Sequence, residues 1–295
     1  LESLLADPAF TPASVGICIT DVATGETLVA HNDRQAIIPA STAKVITSAT
    51  ALRLLDPDYR IVTTVGYTGH IDDAGTLHGN LVIRGGGDPS LGSTYGSRPT
   101  DDFVNRVVEA VRSHPIRSIE GSIEVDATRF SGPAVSPKWM LEDVIWDYGT
   151  GCHAFSYRDN RLQIELKYNG HRYEVTGINP AHRFRVATHL VPGEREEVTV
   201  THTGNHYTVT GTIPRHRSSY RLDLAIERPD SLFLQELNER LQLAGIPVGG
   251  APLSAGRGTE TPLLDYPSDS LAFLVRSLNV RSDNLYAESL LRLIA

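Results

Sequence analysis

The stretch Pro39-Ala40-Ser41-Thr42-Ala43-Lys44-Val45-Ile46, continuing through Ala49, Leu52 and Leu55 to Pro57, decides how the chain is read. Val45, Ile46, Ala49, Leu52 and Leu55 recur at the three- and four-residue spacing of a helix with one apolar face, and Pro57 stands where such a helix must have stopped. The pattern predicts a helix over Ala43–Leu55 with Ser41 at its head. A spacing of three then puts the side chains of Ser41 and Lys44 on the same face, within reach of one another.

A serine hydroxyl is a poor nucleophile at neutral pH and needs a base beside it. A lysine serves only where burial or positive potential, such as that of a helix start, favours the neutral amine. An arbitrary Ser-x-x-Lys is more often a helix-capping serine followed by a solvated lysine. Here Lys44, Lys138 and Lys167 are the only lysines, which makes an accidental match less common than in a lysine-rich protein.

Upstream, Val-Gly-Ile-Cys-Ile from Val15 alternates, the chain turns near Gly25, and Thr27 to His31 alternates again, as in an antiparallel strand pair. Downstream the pattern is mostly β, with strand-like runs at Asn80–Arg84, Ser122–Val125, Arg161–Leu166, Glu197–His202, Tyr207–Ile213 and Arg221–Ile226. Helices are predicted over Asp101–Arg112 and Ser231–Ala244, the second closed by Gly245 and Pro247. After Pro267 the helical period returns, with Leu271, Leu274, Val275 and Leu278 on one face, then Arg-Ser-Asp-Asn, then another helical run from Leu285. The expected architecture is α+β. A helix-rich domain, residues 1–61 and 256–295, is split by a β-rich insertion, residues 62–255, built as two subdomains.

With 295 residues, 40% hydrophobic and 21% charged, the composition is that of a water-soluble globular chain, and no run approaches the roughly 18 apolar residues of a membrane span. A formal charge of −8 repels nucleic acid. The short basic group Arg215, His216, Arg217 and Arg221 reads as a solvated loop or strand edge. Cys18 and Cys152 are too few for a disulfide scaffold and do not settle the redox compartment. The opening residues lack the basic start and apolar core of an export signal, so any such signal is expected to be removed already or left out.

Ser282-Asp283-Asn284 falls between two helical runs, in a loop able to present a hydroxyl and an amide to a shared cleft. Ser277-Leu278-Asn279 has the same spacing but lies inside the preceding apolar-periodic helix. A hydroxyl at Ser282 can pass a proton to a leaving amine, and the Asn284 amide can hold a substrate carbonyl and the lysine.

Together the two motifs resemble the penicillin-binding protein and β-lactamase superfamily. Their order, the long gap, the Gly79-to-Leu91 stretch G-N-L-V-I-R-G-G-G-D-P-S-L and the S-D-N-L-Y-A-E-S-L-L-R ending narrow the likeness. It is to the class C low-molecular-mass penicillin-binding proteins of penicillin-binding protein 4 type, the D-alanyl-D-alanine carboxypeptidase/endopeptidases. The resemblance runs from about Val15 to Ala295. It implies a transpeptidase-like domain with an antiparallel sheet and flanking helices, and a serine hydrolase of peptidoglycan stem peptides in the periplasm or cell envelope, acylated by β-lactams and using no cofactor. It makes Ser41 the acylated nucleophile, Lys44 its base, Ser282 the proton relay and Asn284 a substrate-holding amide. Trp139, Asp143 and Tyr148 match the acidic residue and aromatic neighbours that bind the amino-terminated side chain of the stem peptide. The same three residues also suit a solvated carboxylate with packing aromatics.

The third motif of the superfamily, Lys-Thr-Gly, does not follow Asn284 within the residues up to Ala295, and His202-Thr203-Gly204 precedes the Ser-Asp-Asn loop instead. Family members continue past this point and supply central strands of the catalytic sheet and part of the oxyanion hole, so a molecule ending at Ala295 is expected to be catalytically crippled. Two other readings share the motifs: a compact β-lactamase, against which the long insertion argues, and a non-catalytic wall-binding protein of the same fold. Gly85-Gly86-Gly87-Asp88-Pro89 lacks the spacing of a phosphate loop and reads as a sharp turn. His202 and His206 lie in alternating, strand-like sequence, and no catalytic metal is expected.

Overall fold

Alternating β-branched and aromatic residues make strands of the middle of the chain, and apolar stripes make helices of the segments on either side, so the protein is α+β. The computed structural model describes residues 2–10, 12–181, 183–251 and 260–295. Residues 1–43 and 44–295 form two units.

In the first unit, helix α1 covers Glu2–Leu5, and strand β1 (Ile17–Thr20) pairs antiparallel with β2 (Thr27–His31) in the register Ile17 to His31. The turn between them is held by the Asp21 carboxylate, which accepts from the Ala23 and Thr24 amides at 2.9 and 2.7 Å. Gly25, at φ +77°, takes the left-handed position there. Ala40–Ala43 forms a 3-10 turn that contains Ser41, exposed to solvent.

In the second unit, helix α2 covers Lys44–Leu55, one residue short of the expected start. Strands β3 (Val62–Tyr67), β4 (His70–Ile71), β5 (Thr76–His78) and β6 (Leu81–Arg84) follow, then helix α3 (Asp102–Ser113), β7 (Ser118–Ile119) and β8 (Ile123–Asp126). Next come β9 (Arg161–Tyr168), β10 (Tyr173–Asn179), β11 (Arg185–Gly193), β12 (Glu197–Thr203), β13 (His206–Pro214) and β14 (Ser219–Ala225). Helix α4 (Pro229–Leu243), strand β15 (Thr261–Pro267) and helices α5 (Leu271–Arg281) and α6 (Asn284–Ile294) complete it. The strands order as β15-β3-β6-β8, β4-β5-β7, β10-β9-β14 and β11-β13-β12.

The pairing of β15 with β3 ties the segment that follows residue 255 to the first strand of the β-rich region, Thr261 facing Tyr67 and Pro267 facing Val62. The boundary expected near residue 255 lies outside the described residues. Two apolar clusters form. The larger gathers the strands with α3 and α4, whose Phe103 and Phe233 rings stack at 5.2 Å. The smaller is helical, uniting Ala51 of α2 with Leu271, Leu274, Val275 and Leu278 of α5 and Tyr286 and Leu290 of α6. Each fully buried leucine there contributes about 2 kcal/mol.

On α2 the buried positions are Ser48 and Ala51, while Val45 and Ile46 are 59% and 71% exposed. Leu52 and Leu55 pack against the helical cluster as expected, and beside them small residues let α5 come close enough for Ser48 Oγ to meet Asn279 Oδ1 at 3.4 Å. Asn279 thereby serves α2–α5 packing, as its place inside α5 requires. Strands β3, β10, β11 and β15 were not evident from alternation, because glycine or proline interrupts it and β10 and β15 carry bulges at Val175/Gly177 and Pro262/Leu264.

Gly85–Pro89 is a turn packed against backbone: a Cβ on Gly86 would lie 2.0 Å from Val62 O. Within it the Asp88 carboxylate accepts from the Ser90 amide and hydroxyl at 2.8 and 2.6 Å, yet burial still pushes Asp88 up to about 6. His202 and His206 flank a β12–β13 hairpin turn, with Gly204 at φ +56°. Arg217 and Arg221 lie at the surface, paired with Glu196 and Asp223.

Candidate active site

Ser282 follows the last residue of helix α5 and caps it, its φ of 56° and ψ of 42° placing it in the left-handed region. A glycine is the usual occupant of that position, because a Cβ there costs about 1 kcal/mol or more. Serine therefore occupies this position at a backbone cost, which directs attention to its hydroxyl. The next residue, Asp283, caps α6 by accepting from the Tyr286 amide at 3.0 Å. Two helices thus meet at a two-residue hinge, and the hinge projects Ser282 toward the start of α2.

Lys44 is the first residue of α2, 238 positions from Ser282. Its Nζ donates to Ser282 O at 2.8 Å and to Ser282 Oγ at 3.1 Å. The amine is half-buried. Burial lowers the Lys44 pKa from the usual lysine value, and the neighbouring Asp283 carboxylate partly opposes the shift. A lysine that sheds its proton more readily, hydrogen-bonded to a hydroxyl, is equipped to accept a proton and hand it on.

Asn284 opens α6, and its Nδ2 donates to Tyr148 O at 2.6 Å. Tyr148 lies in the Asp147–Gly149 turn and is 50% exposed; its hydroxyl donates to Asp143 Oδ1 at 3.1 Å. Burial, then this bond to a carboxylate, raises the Tyr148 hydroxyl above the usual tyrosine value. The turn depends on Gly149, where an added Cβ would lie 2.0 Å from Asp143 O. Asp143, Tyr148 and Asn284 are thereby joined, and Asn284 is adjacent in sequence to the Lys44–Ser282 contact. Trp139 is half-buried near this segment, its amide donating to Ser136 O at 3.1 Å, and its indole makes no hydrogen bond or ring stack with Asp143 or Tyr148 among the described residues.

Sequence reasoning missed the support beneath the hinge. Tyr286 Oη donates to Ser93 Oγ at 3.2 Å, Ser93 donates to Asp159, and Asp159 faces Arg161 at 3.8 Å. Burial raises Asp159, with the Ser93 bond and Arg161 opposing. Arg281 packs over the Tyr95 and Tyr286 rings. Only the arginine's position directly before Ser-Asp-Asn could have pointed to it. Among the described residues no three His, Cys, Asp or Glu side chains converge as a metal site needs, and no helix is long and apolar enough to cross a membrane.

Residues 1–295 match the D-Ala-D-Ala carboxypeptidase 3 (S13) family. The D-alanyl-D-alanine carboxypeptidase DacB of Haemophilus influenzae is 25% identical over 292 residues, 96% of this chain and 59% of that protein. The crystal structure of penicillin binding protein 4 (dacB) from Haemophilus influenzae superposes with a TM-score of 0.79 at 23% identity, over 95% of this chain and 62% of that one. The same protein complexed with a novel β-lactam superposes with a TM-score of 0.70 at 21% identity, over 93% and 59% of the two chains. The fold is therefore that of these penicillin-binding proteins, and the chain spans less than two thirds of the length of each relative.

Proposed function

The chain belongs to the D-Ala-D-Ala carboxypeptidase 3 (S13) family, and from that premise we propose that it carries the acylating residues of a serine D-alanyl-D-alanine carboxypeptidase/endopeptidase. The substrate is the peptidoglycan stem peptide, the setting is the periplasm or cell envelope, and β-lactams acylate the same serine. The observation that carries this reading is the hydrogen bond from Lys44 Nζ to Ser282 Oγ at 3.1 Å, made by an amine whose affinity for its proton is reduced. Neither a capping serine nor a solvated lysine calls for such a contact between residues 238 apart.

In this reading neutral Lys44 takes the proton of Ser41 as its Oγ bonds to the carbonyl carbon of the penultimate D-alanine. The tetrahedral intermediate collapses as the C–N bond breaks. Ser282 gives its proton to the departing amine and is reprotonated by Lys44, which leaves the base neutral and Ser41 acylated. Water, activated by the same pair, then releases the acyl group. Asn284 orients the substrate carbonyl, and Asp143 with Tyr148 receives the ammonium of the stem peptide's side chain, with Trp139 beside them.

The domain division belongs to the same proposal: residues 1–61 and 256–295 carry the chemistry, and residues 62–255 are inserted as two subdomains. The separate helical cluster of α2, α5 and α6 supports it.

The test is incubation of the complete protein with labelled penicillin, followed by mass spectrometry of its peptides. The expected adduct is on Ser41 and persists for minutes or longer. Label elsewhere, or none, refutes the assignment, and an adduct that turns over within seconds assigns a β-lactamase instead.

A further inference from the structure

Arg281 is the last residue of α5, and the chemistry above leaves it without a part. Its guanidinium carbon stands 3.6 Å from the Tyr95 ring centroid and 5.0 Å from that of Tyr286. Nη1 donates to Ser277 Oγ at 2.6 Å and Nη2 donates to Asp283 Oδ2 at 3.0 Å. Two aromatic faces, one turn of α5 and the carboxylate two residues on therefore fix this planar cation, and both ion-pair side chains are only 20% exposed. Tyr95 is itself held, because Arg161 Nη1 donates to its hydroxyl at 2.7 Å.

Asp283 is the pivot of the arrangement. One of its oxygens caps α6 and the other takes Arg281, while the same carboxylate is the charge that favours the Lys44 ammonium. The charged and titratable groups around the hinge are Asp283 and Arg281 from the α5–α6 junction, Asp147, Tyr148 and Asp143 from the segment beside Asn284, and Asp159 with Arg161 behind Tyr286. Burial raises Asp147 and Asp159, and Asp283 adds to both shifts. The site is therefore rich in carboxyl groups, and an unpaired Asp283 in it would hold the proton on Lys44.

We propose that Arg281 is a positioning residue of the acyl-transfer site: packed on the Tyr95 and Tyr286 rings, it holds the Ser282–Asp283 hinge and occupies the Asp283 carboxylate, so that Lys44 can release its proton. This role rests on the reading of Lys44 as the base. A lysine in place of Arg281 keeps the charge but neither the planar stack nor the two-sided bonding.

The experiment follows the rate of acylation by a fluorescent penicillin against pH, using the complete protein, Arg281→Met, Arg281→Lys and the double variant Arg281→Met with Asp283→Asn. In Arg281→Met the acid limb of the profile moves up by about 0.5–1 unit, a three- to tenfold slower rate on the limb. In Arg281→Lys it moves by less than half as much, and in the double variant it returns to the parent position or below. Should Arg281→Met fail to fold, Asp283→Asn carries the test alone, since asparagine also caps a helix; the limb then moves down. A rate reduced equally at every pH, or an unmoved limb, overturns the proposal. A parent protein that forms no Ser41 adduct refutes the functional reading and this role with it, whereas a parent that acylates with an unmoved limb refutes the role of Arg281 alone.

Discussion

Replacing Ser282 by glycine separates what its backbone costs from what its hydroxyl does. The residue sits at φ 56°, and relief of that conformation gains about 1 kcal/mol. Against this, glycine loosens the unfolded chain by about 0.4–1 kcal/mol. The lost hydrogen bond from the half-buried Lys44 to Oγ removes a further ~0.5–1 kcal/mol, while the bond from Lys44 to Ser282 O at 2.8 Å remains. The sum lies within about 1 kcal/mol of zero. Ser282→Ala keeps the strain and loses the same bond but escapes the unfolded-chain cost of glycine, so it falls about 0–0.6 kcal/mol below the glycine variant. On the proposed mechanism both variants lose the proton relay, and acylation is expected to slow by about 10²–10⁴-fold. The two readouts are urea denaturation and the acylation rate with labelled penicillin. An alanine variant more stable than the glycine variant refutes the backbone argument; acylation at the parent rate in either refutes the relay.

On the proposed reading acylation is expected to rise with pH as Lys44 loses its proton, with a midpoint below the usual lysine range because burial depresses its pKa; a stopped-flow pH profile with no such limb contradicts the base assignment. Asp88, raised to about 6 by burial against an ordinary 3.8, binds its proton more tightly folded than unfolded. Its contribution to stability is therefore present at and below about pH 4 and is lost as pH rises toward 6, by an amount on the order of 2–3 kcal/mol; urea midpoints measured at pH 4 and 6.5 should lose that difference in Asp88→Asn. Asp143→Asn lowers kcat/KM about 10-fold or more for stem peptides with an ammonium-ended side chain and leaves penicillin acylation nearly unchanged; equal loss with both ligands assigns Asp143 to the scaffold.

The helices around the candidate site were legible because periodicity and stop signals are local. Pro57, Gly245 and the Arg-Ser-Asp-Asn break each mark a boundary that the backbone respects to within one or two residues. The strands β3, β10, β11 and β15 were less so, because a glycine, a proline or a bulge breaks the two-residue period that identifies a strand. The α2 face that packs inward was legible at Leu52 and Leu55, which pack against the helical cluster, and misread at Val45 and Ile46, which are exposed. Val45 and Ile46 are more apolar than Ser48 and Ala51, but close approach of α5 and α6 favours small side chains, and that preference depends on partners more than two hundred residues away.

Sequence alone established the α+β class, the Ser41–Lys44 spacing and the candidacy of Ser282 and Asn284 over Ser277 and Asn279, since each follows from helical period and residue chemistry within a short window. Tertiary structure alone decided that the Lys44 amine reaches Ser282, that Ser282 holds a left-handed backbone, that Asn284 ties to Tyr148 and Asp143, and that Arg281 and Asp283 stand behind the hinge. The physical reason is range. A residue's periodicity depends on its near neighbours in the chain, whereas a shifted pKa or a strained φ depends on which distant groups folding brings to within a few ångströms.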